Sequence, residues 1–305
     1  MQGFPFSPSD DQSPLEVAEP ARLSSAAVFS SPHSGRAYPD SLIRRSPLHK
    51  TLLRSSEDAF VEELFASVPE CGAPLLKAHF PRAWVDANRA ADELDPALIS
   101  DAPPQRLRSP RATAGLGVAP RVVGEGRRIY PGKIPYAEVR ERIASCHQPY
   151  HARLAALMLR TRRRFGAALL LDCHSMPSES ARQSGERGPD VVLGDRHGLA
   201  AHPELTAEAT RIFVEAGFRV ARNAPFAGGY ITQFWGRPRE GLHALQIEIN
   251  RGLYLDEARV ERHAGFGAFR ARLAPVIARL AAMESLAALT RPQEDPEEDF
   301  RFAAE

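Results

Sequence analysis

Five apolar residues, Ala167 to Leu171, run directly into the polar sequence Asp172-Cys173-His174-Ser175. A short apolar run without helical spacing is typical of a strand that is buried on both faces of a sheet. In open α/β sheets, ligands bind beyond the carboxyl ends of the strands. This junction therefore constrains both the fold and the place where polar chemistry can collect.

Similar apolar segments recur along the chain and alternate with segments of helical periodicity. The other predicted strands are short apolar runs next to turn-forming residues, at 26–29, 73–76, 83–85, 190–194 and 244–250. The predicted helices have apolar residues at three- and four-residue steps, at 46–68, 136–165, 203–217 and 256–289. This alternation predicts one α/β domain with a mixed, mostly parallel sheet and helices on both faces.

The composition excludes several classes of protein. With 305 residues, 43% of them hydrophobic and 25% charged, the chain fits a soluble domain with a sizeable core. A formal net charge of +1 gives no reason to expect nucleic acid or a membrane surface as a partner. The three cysteines form no CxxC pair, and no signal peptide or run of ~20 apolar residues is present. A reducing cytoplasm is expected.

The two ends and one internal segment differ in composition from the rest. Residues 1–22 are rich in Ser, Pro and Asp and are expected to be disordered, while 290–305 form an acidic tail. The catalytic domain is expected to span 23–289. Within it, residues 101–135 are dense in Pro, Gly and Arg, and a loop of this length is usually functional or mobile.

Polar residues follow several of the predicted strands. His33 follows the first, the sequence Asp86 to Arg89 follows another, and His174 follows the run that ends at Leu171. Neutral imidazole is a good zinc ligand, and a hydrolytic zinc site needs three protein ligands and an open position. Each histidine taken singly is more simply explained as a structural residue, and the two are too far apart in the sequence to form a spacing motif.

Glu248 lies between apolar residues of a predicted strand. A buried carboxylate is costly unless it is paired, protonated or near a metal. Glu248 could therefore be a general base that accepts a proton from water. It could equally be the partner of a structural arginine such as Arg251 or Arg89, and the pattern alone leaves both interpretations open.

Asn88-Arg89 could form a carboxylate clamp, since guanidinium binds a carboxylate through two parallel hydrogen bonds. The simpler alternative is a surface turn with an ion pair from Arg89 to Glu93 or Asp95.

The glycines near the predicted site carry a weaker signal. Gly228-Gly229 could allow close approach of the backbone to a ligand, or could be an ordinary turn. The chain contains no full GxGxxG, phosphate-loop or GxSxG motif, which gives no support to dinucleotide binding, phosphate-loop chemistry or a serine hydrolase.

Eight segments in the same order resemble the N-formylglutamate amidohydrolase family, and together they cover about residues 28–260. They are SPHSGRAYP (31–39), RSSEDAFVEELF (54–65), FPRAWVDANRAADELDP (80–96), APRVVGEGRRIY (119–130), LLDCHSMPS (170–178), DVVLGDRHG (190–198), RNAPFAGGYIT (222–232) and HALQIEINRGLYLDE (243–257). Agreement in both order and content is far more specific than any single motif above.

The resemblance implies hydrolysis of N-formyl-L-glutamate to formate and glutamate, a step of histidine breakdown. It also implies a zinc carboxypeptidase-like, phosphorylase/hydrolase-like fold related to the aspartoacylase-like hydrolases. One divalent metal, Zn²⁺, is the expected cofactor, and a small N-acyl amino acid is the expected partner.

The same resemblance assigns metal ligands. The wider group uses a His-x-x-Glu pair and a later histidine, and His33 and His174 match the two histidines. Arg36 stands where the glutamate of that pair would be, so the third ligand must come from elsewhere. Asp58 is the preferred candidate and Asp40 a weaker one.

Supporting and catalytic roles follow from the resemblance in the same way. Asp86 is expected to orient His33, and Asp172 is expected to support the metal ligands from behind. Glu248 matches the position of the catalytic glutamate, which would pass a proton from water to the leaving amine.

The substrate-binding assignments also come from the resemblance. Asn88 and Arg89 match a motif that holds the substrate α-carboxylate, and Arg121 is assigned to the side-chain carboxylate. Gly228 and Gly229 are expected to line the binding site. Two other functions stay open: a zinc amidase or peptidase acting on other N-acylated or cell-wall-type peptides, and a non-catalytic binding protein on the same fold.

Overall fold

The computed structural model describes residues 13–104, 109–182 and 188–289. Within these ranges, the main sheet consists of β1 (Leu15–Ala18), β2 (Ala27–Ser31), β3 (Leu75–Ala78), β4 (Ala168–Met176), β5 (Val191–Gly194), β6 (Val220–Arg222) and β7 (Leu242–Asn250). A small ribbon is formed by β8 (Leu255–Asp256) and β9 (Glu261–Arg262).

The helices of the same ranges differ widely in length. They are α1 (Asp40–Arg45), α2 (Lys50–Leu53), α3 (Val61–Leu64), α4 (Pro110–Thr113), α5 (Tyr136–Arg142), α6 (Gln148–Phe165), α7 (Ser178–Arg182), α8 (Pro203–Glu215), α9 (Tyr230–Trp235), α10 (Phe266–Ala281) and α11 (Glu284–Leu289). A π-helical turn, Ile143–His147, joins α5 to α6. Within the described ranges, none of the helices is both long and apolar enough to cross a bilayer.

The main sheet has the strand order β1-β3-β2-β4-β7-β5-β6. The central strands β3, β2, β4 and β7 are parallel, whereas β1 and β5 run antiparallel to their neighbours β3 and β7. β6 pairs in parallel with β5. The predicted mixed, mostly parallel sheet is therefore confirmed, and the four parallel central strands bring their carboxyl ends to one edge.

Side chains on the two faces of the sheet enter two separate cores. Phe29 and Leu171 lie in a core covered by α8 and α10, while Val28 and Leu170 lie in a core covered by α6 and α9. Successive residues of a strand point to opposite faces, so one apolar run supplies both cores. The prediction of helices on both faces is confirmed.

The predicted helix at 46–68 is wrong, because α2, a 3₁₀ turn and α3 divide this segment. Phe60 adopts a left-handed backbone conformation (φ 64°) at the entrance to α3. The amide of Asp58 donates to the carbonyl of His33 (3.0 Å), a bond that a continuous helix would not allow. The predicted strand at 83–85 is also wrong. This segment is a turn in which the amide of Trp84 donates to the carbonyl of Pro81 (2.9 Å).

Two predictions near the chain ends need correction. The helix expected from residue 256 begins only at Phe266, because Asp256 accepts bonds from the amides of Ala258 and Arg259 and closes a turn. The composition predicts disorder up to residue 22, but β1 pairs with β3 and forms an edge of the main sheet, a long-range pairing that the local composition does not reveal. Residues 1–12 and the acidic tail at 290–305 lie outside the described residues.

Candidate metal centre and active site

The candidate site lies at the carboxyl edge of the central strands. His33 follows the end of β2, and β4 and β7 pair so that His174 lies opposite Glu248. Both side chains lie on the sheet face that also carries Leu170 and Ala244, because these residues are separated by even numbers of positions. Strand register therefore brings together polar residues that are distant in the sequence.

His33, Asp58 and His174 form a buried cluster whose ligand atoms all lie within 4.8 Å of one another. Nδ1 of His174 lies 2.9 Å from Oδ2 of Asp58, and Nδ1 of His33 lies 3.4 Å from the same oxygen. Tetrahedral zinc with bonds of 2.0–2.1 Å implies ligand–ligand distances of about 3.3 Å. The cluster has the dimensions of a small metal site.

The two histidines are oriented in the same way. Nε2 of His33 donates to Oδ1 of Asp86 (2.7 Å), and Nε2 of His174 donates to Oδ2 of Asp172 (2.8 Å). An imidazole that donates through Nε2 keeps a lone pair on Nδ1 when it is neutral. Both lone pairs then face Asp58, as in carboxylate–histidine–metal arrangements.

The donor set fits a divalent metal such as zinc. In the described part of the chain, the buried Nδ1 of His33 has no hydrogen-bond partner, which is unusual for a polar atom unless a ligand completes it. Oδ1 of Asp58 accepts from Nη2 of Arg251 (2.9 Å) and from the Ser175 hydroxyl (3.3 Å), which leaves Oδ2 as the single free donor oxygen. Two imidazole nitrogens and one carboxylate oxygen match the three protein ligands of a hydrolytic zinc site.

Local charges keep the two central carboxylates ionised. Burial alone would raise the pKa of Asp58, but the hydrogen bond with His174 and the charges of His174 and His33 lower this pKa well below its usual value. The pKa of Asp86 is held well below its usual value by Arg82 and His33, again against the effect of burial. Both residues can therefore act as anions at neutral pH.

Glu248 has the opposite character. Burial raises the pKa of this carboxyl group to about 7; the negative charge of Asp58 adds to that shift and the positive charge of His174 opposes it. Nε2 of Gln246 donates to one carboxyl oxygen (2.8 Å). A carboxyl group whose pKa lies near neutrality can both accept and return a proton.

Asn88 connects the metal cluster to α9. Its side-chain oxygen accepts from the amide of Ile231 (2.8 Å), and its Nδ2 lies 3.4 Å from Nε2 of His174. A Cβ at Gly229 would lie 2.3 Å from Nδ2 of Asn88, so only glycine fits there. Gly228 has a φ of +121°, a conformation that also favours glycine. Both glycines line the cavity, and the close contact of Gly229 is with Asn88.

Arg89 is buried at the cavity wall instead of lying in a surface turn. Nε donates to the carbonyl of Leu116 (2.8 Å) and Nη1 to the carbonyl of Asn88 (2.8 Å). Within the described residues it forms no ion pair, so the alternative of a pair with Glu93 or Asp95 is wrong. Burial lowers the pKa of Arg89, because a charged guanidinium is less stable away from water. A bound carboxylate reduces this cost of burying the charge.

A cavity of about 540 Å³ opens above the metal cluster and contains four arginines. Arg82 donates to Asp86 (3.0 Å) and Arg251 to Asp58 (2.9 Å). Arg89 and Arg111 have no acidic partner in the described part of the chain. Leu116 and the turn at Gly124–Gly126 form part of one wall, so the segment predicted to be a functional loop borders the site.

Two assignments made from the sequence are not where they were expected. Arg121 donates through Nε to Asp95 (2.6 Å) and is not among the residues that line the cavity. Its guanidinium is occupied in a structural ion pair. Asp40 lies exposed at the start of α1, 3.6 Å from Arg44, and does not belong to the metal cluster.

Sequence reasoning missed three arginines of the site. Arg82 precedes the Asp86–Arg89 segment, and its contact with Asp86 could have been suggested by the four-residue spacing. Arg251, which the sequence offers as a partner of Glu248, binds Asp58 instead. Arg111 lies in a segment without periodicity, and no sequence signal indicated its place in the cavity.

Two carboxylate-oriented histidines, a third carboxylate and a buried glutamate at the carboxyl edge of an α/β sheet define a candidate metal-dependent hydrolase site. The sequence model of the N-formylglutamate amidohydrolase family matches residues 25–255. The chain belongs to this family, as the resemblance predicted.

Individual relatives agree with that assignment. The chain is 35% identical over 203 residues to the N-formylglutamate deformylase of Pseudomonas aeruginosa, a match that covers 66% of this chain and 71% of the relative. It is 29% identical over 233 residues to that of Pseudomonas putida, with 75% and 82% covered.

Solved structures give the same fold. The crystal structure of N-formylglutamate amidohydrolase from Ralstonia eutropha JMP134 has 36% sequence identity and a TM-score of 0.83, and the match covers 89% of this chain and 98% of that one. A protein from Agrobacterium tumefaciens shares the fold at 17% identity, with a TM-score of 0.57 over 89% of this chain and 96% of that one.

Proposed function

We propose that this protein hydrolyses the amide bond of an N-acyl amino acid, and specifically converts N-formyl-L-glutamate to formate and L-glutamate. The observation that carries the proposal is the cluster of His33, Asp58 and His174 next to Glu248. The two Pseudomonas relatives, both named N-formylglutamate deformylases, support the choice of substrate.

In this proposal the cluster holds one divalent metal, zinc. Nδ1 of His33, Nδ1 of His174 and Oδ2 of Asp58 are the donors. Asp86 and Asp172 fix the imidazoles from behind, and Arg251 fixes Asp58. A bound zinc ion supplies Lewis acidity, which polarises an amide carbonyl and makes water a stronger acid.

Glu248 is the proposed proton carrier. Its pKa is about 7 in the metal-free protein, and a bound cation would lower this pKa, so the ionised form is available at neutral pH to accept a proton from the attacking water. The protonated carboxyl group can then pass the proton to the departing amine. Gln246, through its hydrogen bond to one oxygen, keeps the carboxyl group in a fixed orientation.

The two cavity arginines without acidic partners support a substrate with two carboxylates. Asn88 and Arg89, at the cavity wall, hold the α-carboxylate. Arg111, in place of Arg121, holds the side-chain carboxylate. Repulsion by the positive charge of Arg111 contributes to the lowered pKa of Arg89. Two guanidinium groups in one cavity repel each other, and a dicarboxylate neutralises both.

The test compares two substrates of nearly equal shape on the zinc-loaded protein. Formate release is measured from N-formyl-L-glutamate and from N-formyl-L-glutamine, which lacks the side-chain charge. The wild type should prefer the glutamate, and Arg111→Gln should reduce this preference roughly tenfold, the value of one charged hydrogen-bond pair. Arg128→Gln, an exposed arginine of the same segment that is not at the cavity, is the matched control.

The outcomes separate the competing functions. Stoichiometric zinc without formate release would retain a metal site and favour an amidase or peptidase with another substrate. Neither zinc nor formate would favour a non-catalytic binding protein. Equal activity on both substrates would show that the cavity does not recognise the side-chain carboxylate.

A further inference from the structure

The helix that passes behind the Asp86–Arg89 segment contains a π-helical turn. Ile143–His147 separates α5 from α6, and Ile143, Cys146 and His147 are buried. Such turns add one residue to a helical turn and occur frequently at functional sites. His147, the last residue of this turn, lies four residues before His151, so both side chains lie on the side of the helix that meets the segment.

His147 and His151 bind the backbone of that segment on both sides of Asn88. Nε2 of His147 donates to the carbonyl of Arg89 (2.8 Å), and Nε2 of His151 donates to the carbonyl of Ala87 (2.8 Å). The two rings are 4.3 Å apart. The carbonyl groups of the two residues next to Asn88 are therefore fixed by a pair of adjacent imidazoles.

His151 also contacts α9, whose first residues follow Gly229 at the cavity. The ring of His151 contacts the ring of Tyr230 edge to face, with centroids 5.5 Å apart. Tyr230 begins α9 directly after Gly229, and the amide of Ile231 donates to the Asn88 side chain. His151 thus holds α9 and the Asn88 backbone in a fixed relation.

Both imidazoles act here as neutral donors. Nδ1 of His147 is buried and has no hydrogen-bond partner within the described residues, so a second proton would have no acceptor. Burial lowers the pKa of His147. Burial, together with the repulsion that two protonated rings would experience, lowers the pKa of His151 to about 4. Neither residue lines the cavity, so neither can touch the reacting atoms.

We propose that His147 and His151 are positioning residues for the substrate-carboxylate clamp of Asn88 and Arg89, an inference that rests on the function proposed above. By holding the two flanking carbonyls, they turn the Asn88 side chain and the Arg89 guanidinium towards the cavity. Their loss should therefore weaken substrate binding more than it slows the chemical step.

The experiment compares variants that keep or lose the donor. His147→Phe and His151→Phe keep an aromatic ring but lose the N–H, whereas His147→Gln and His151→Gln keep an N–H of similar reach. His243→Phe is the matched control, a buried histidine away from the cavity. For each zinc-loaded variant, kcat, KM for N-formyl-L-glutamate, zinc content and Tm are measured.

Each Phe variant should raise KM about tenfold, the equivalent of one buried hydrogen bond, while kcat stays within about threefold. Zinc content should stay stoichiometric, and each Gln variant should recover a KM within about threefold of the wild type. The His243→Phe control should lower Tm without raising KM.

Two results would overturn the inference. Phe variants with a lowered Tm but a wild-type KM, like the control, would show a structural role alone. A collapse of kcat at unchanged KM would place the effect on the chemistry and not on the clamp.

Binding of L-glutamate, measured by calorimetry, separates this inference from the proposed function. If the wild type binds L-glutamate but does not hydrolyse N-formyl-L-glutamate, the proposed function is rejected. Weaker binding by its Phe variants would still support the clamp, and equal binding would reject the clamp as well.

Discussion

Replacing Glu248 by Gln should abolish turnover and at the same time stabilise the metal-free protein. The substitution keeps the size of the side chain and its ability to accept the bond from Gln246. It removes a carboxylate that is almost fully buried (7% exposed). Turnover should fall roughly 100- to 10,000-fold if Glu248 carries the proton.

The gain in stability follows from the pKa of Glu248, which rises from 4.5 to about 7 on folding. A carboxyl group with a raised pKa loses its contribution to stability as the pH rises through that value, because the folded state then holds a buried charge. The neutral Gln variant avoids this cost. The difference in unfolding free energy should grow from below about 1 kcal/mol at pH 5 to about 3 kcal/mol at pH 8.5.

The assay is urea denaturation of chelator-treated protein at several pH values, with wild type and variant compared at each pH so that other titrating groups cancel. Glu70→Gln, which removes an exposed carboxylate, is the control and should show no such growth. Equal stability of the Glu248→Gln variant and the wild type at pH 8.5 would refute the raised pKa of Glu248. Turnover that survives the substitution would refute its role as the proton carrier.

Three further results are expected. Asp58→Asn should weaken zinc binding roughly 100-fold, since each of the four protein ligands of a typical structural zinc site contributes ~3 kcal/mol and Asp58 is one of only three here. Full zinc occupancy at limiting metal would contradict this. Arg121→Gln should lower the unfolding free energy by about 1–3 kcal/mol, because it leaves Asp95 buried without its ion-pair partner. An altered KM would instead indicate that Arg121 binds the substrate. Burial lowers the pKa of His243 from 6.5 to about 4, so the unfolded state takes up a proton first as the pH falls. Between pH 7 and pH 5 the wild type should therefore lose about 2 kcal/mol more unfolding free energy than the His243→Phe variant. Parallel stability curves for the two proteins would argue against a neutral buried imidazole.

The strands of the central sheet were predictable because the signal for a buried strand is local. The apolar runs before His33 and His174 correspond to β2 and β4, and the run around Glu248 corresponds to β7. The predicted helix at 46–68 failed because its apolar spacing did not indicate the backbone bond from Asp58 to His33. A bond between distant segments overrides local helical preference.

The site could be predicted where a residue follows a strand, and much less well elsewhere. His33, His174 and Glu248 were placed by strand ends together with the family resemblance, and they meet in the structure. Arg111 and Arg121 lie ten residues apart in one irregular segment, and nothing in their local sequence distinguishes the cavity residue from the one paired with Asp95. Only the path of the loop separates them.

By itself, the sequence determined that His33, His174 and Glu248 would lie at the carboxyl edge of a parallel sheet, since strand periodicity and burial are properties of short segments. Only the tertiary structure decided that Asp58 would lie against His33 and His174, that Arg251 would pair with Asp58, and that His147 and His151 would bind the backbone on either side of Asn88. These contacts join segments that are far apart in the chain. Their geometry depends on turns and strand register, and no local pattern encodes it.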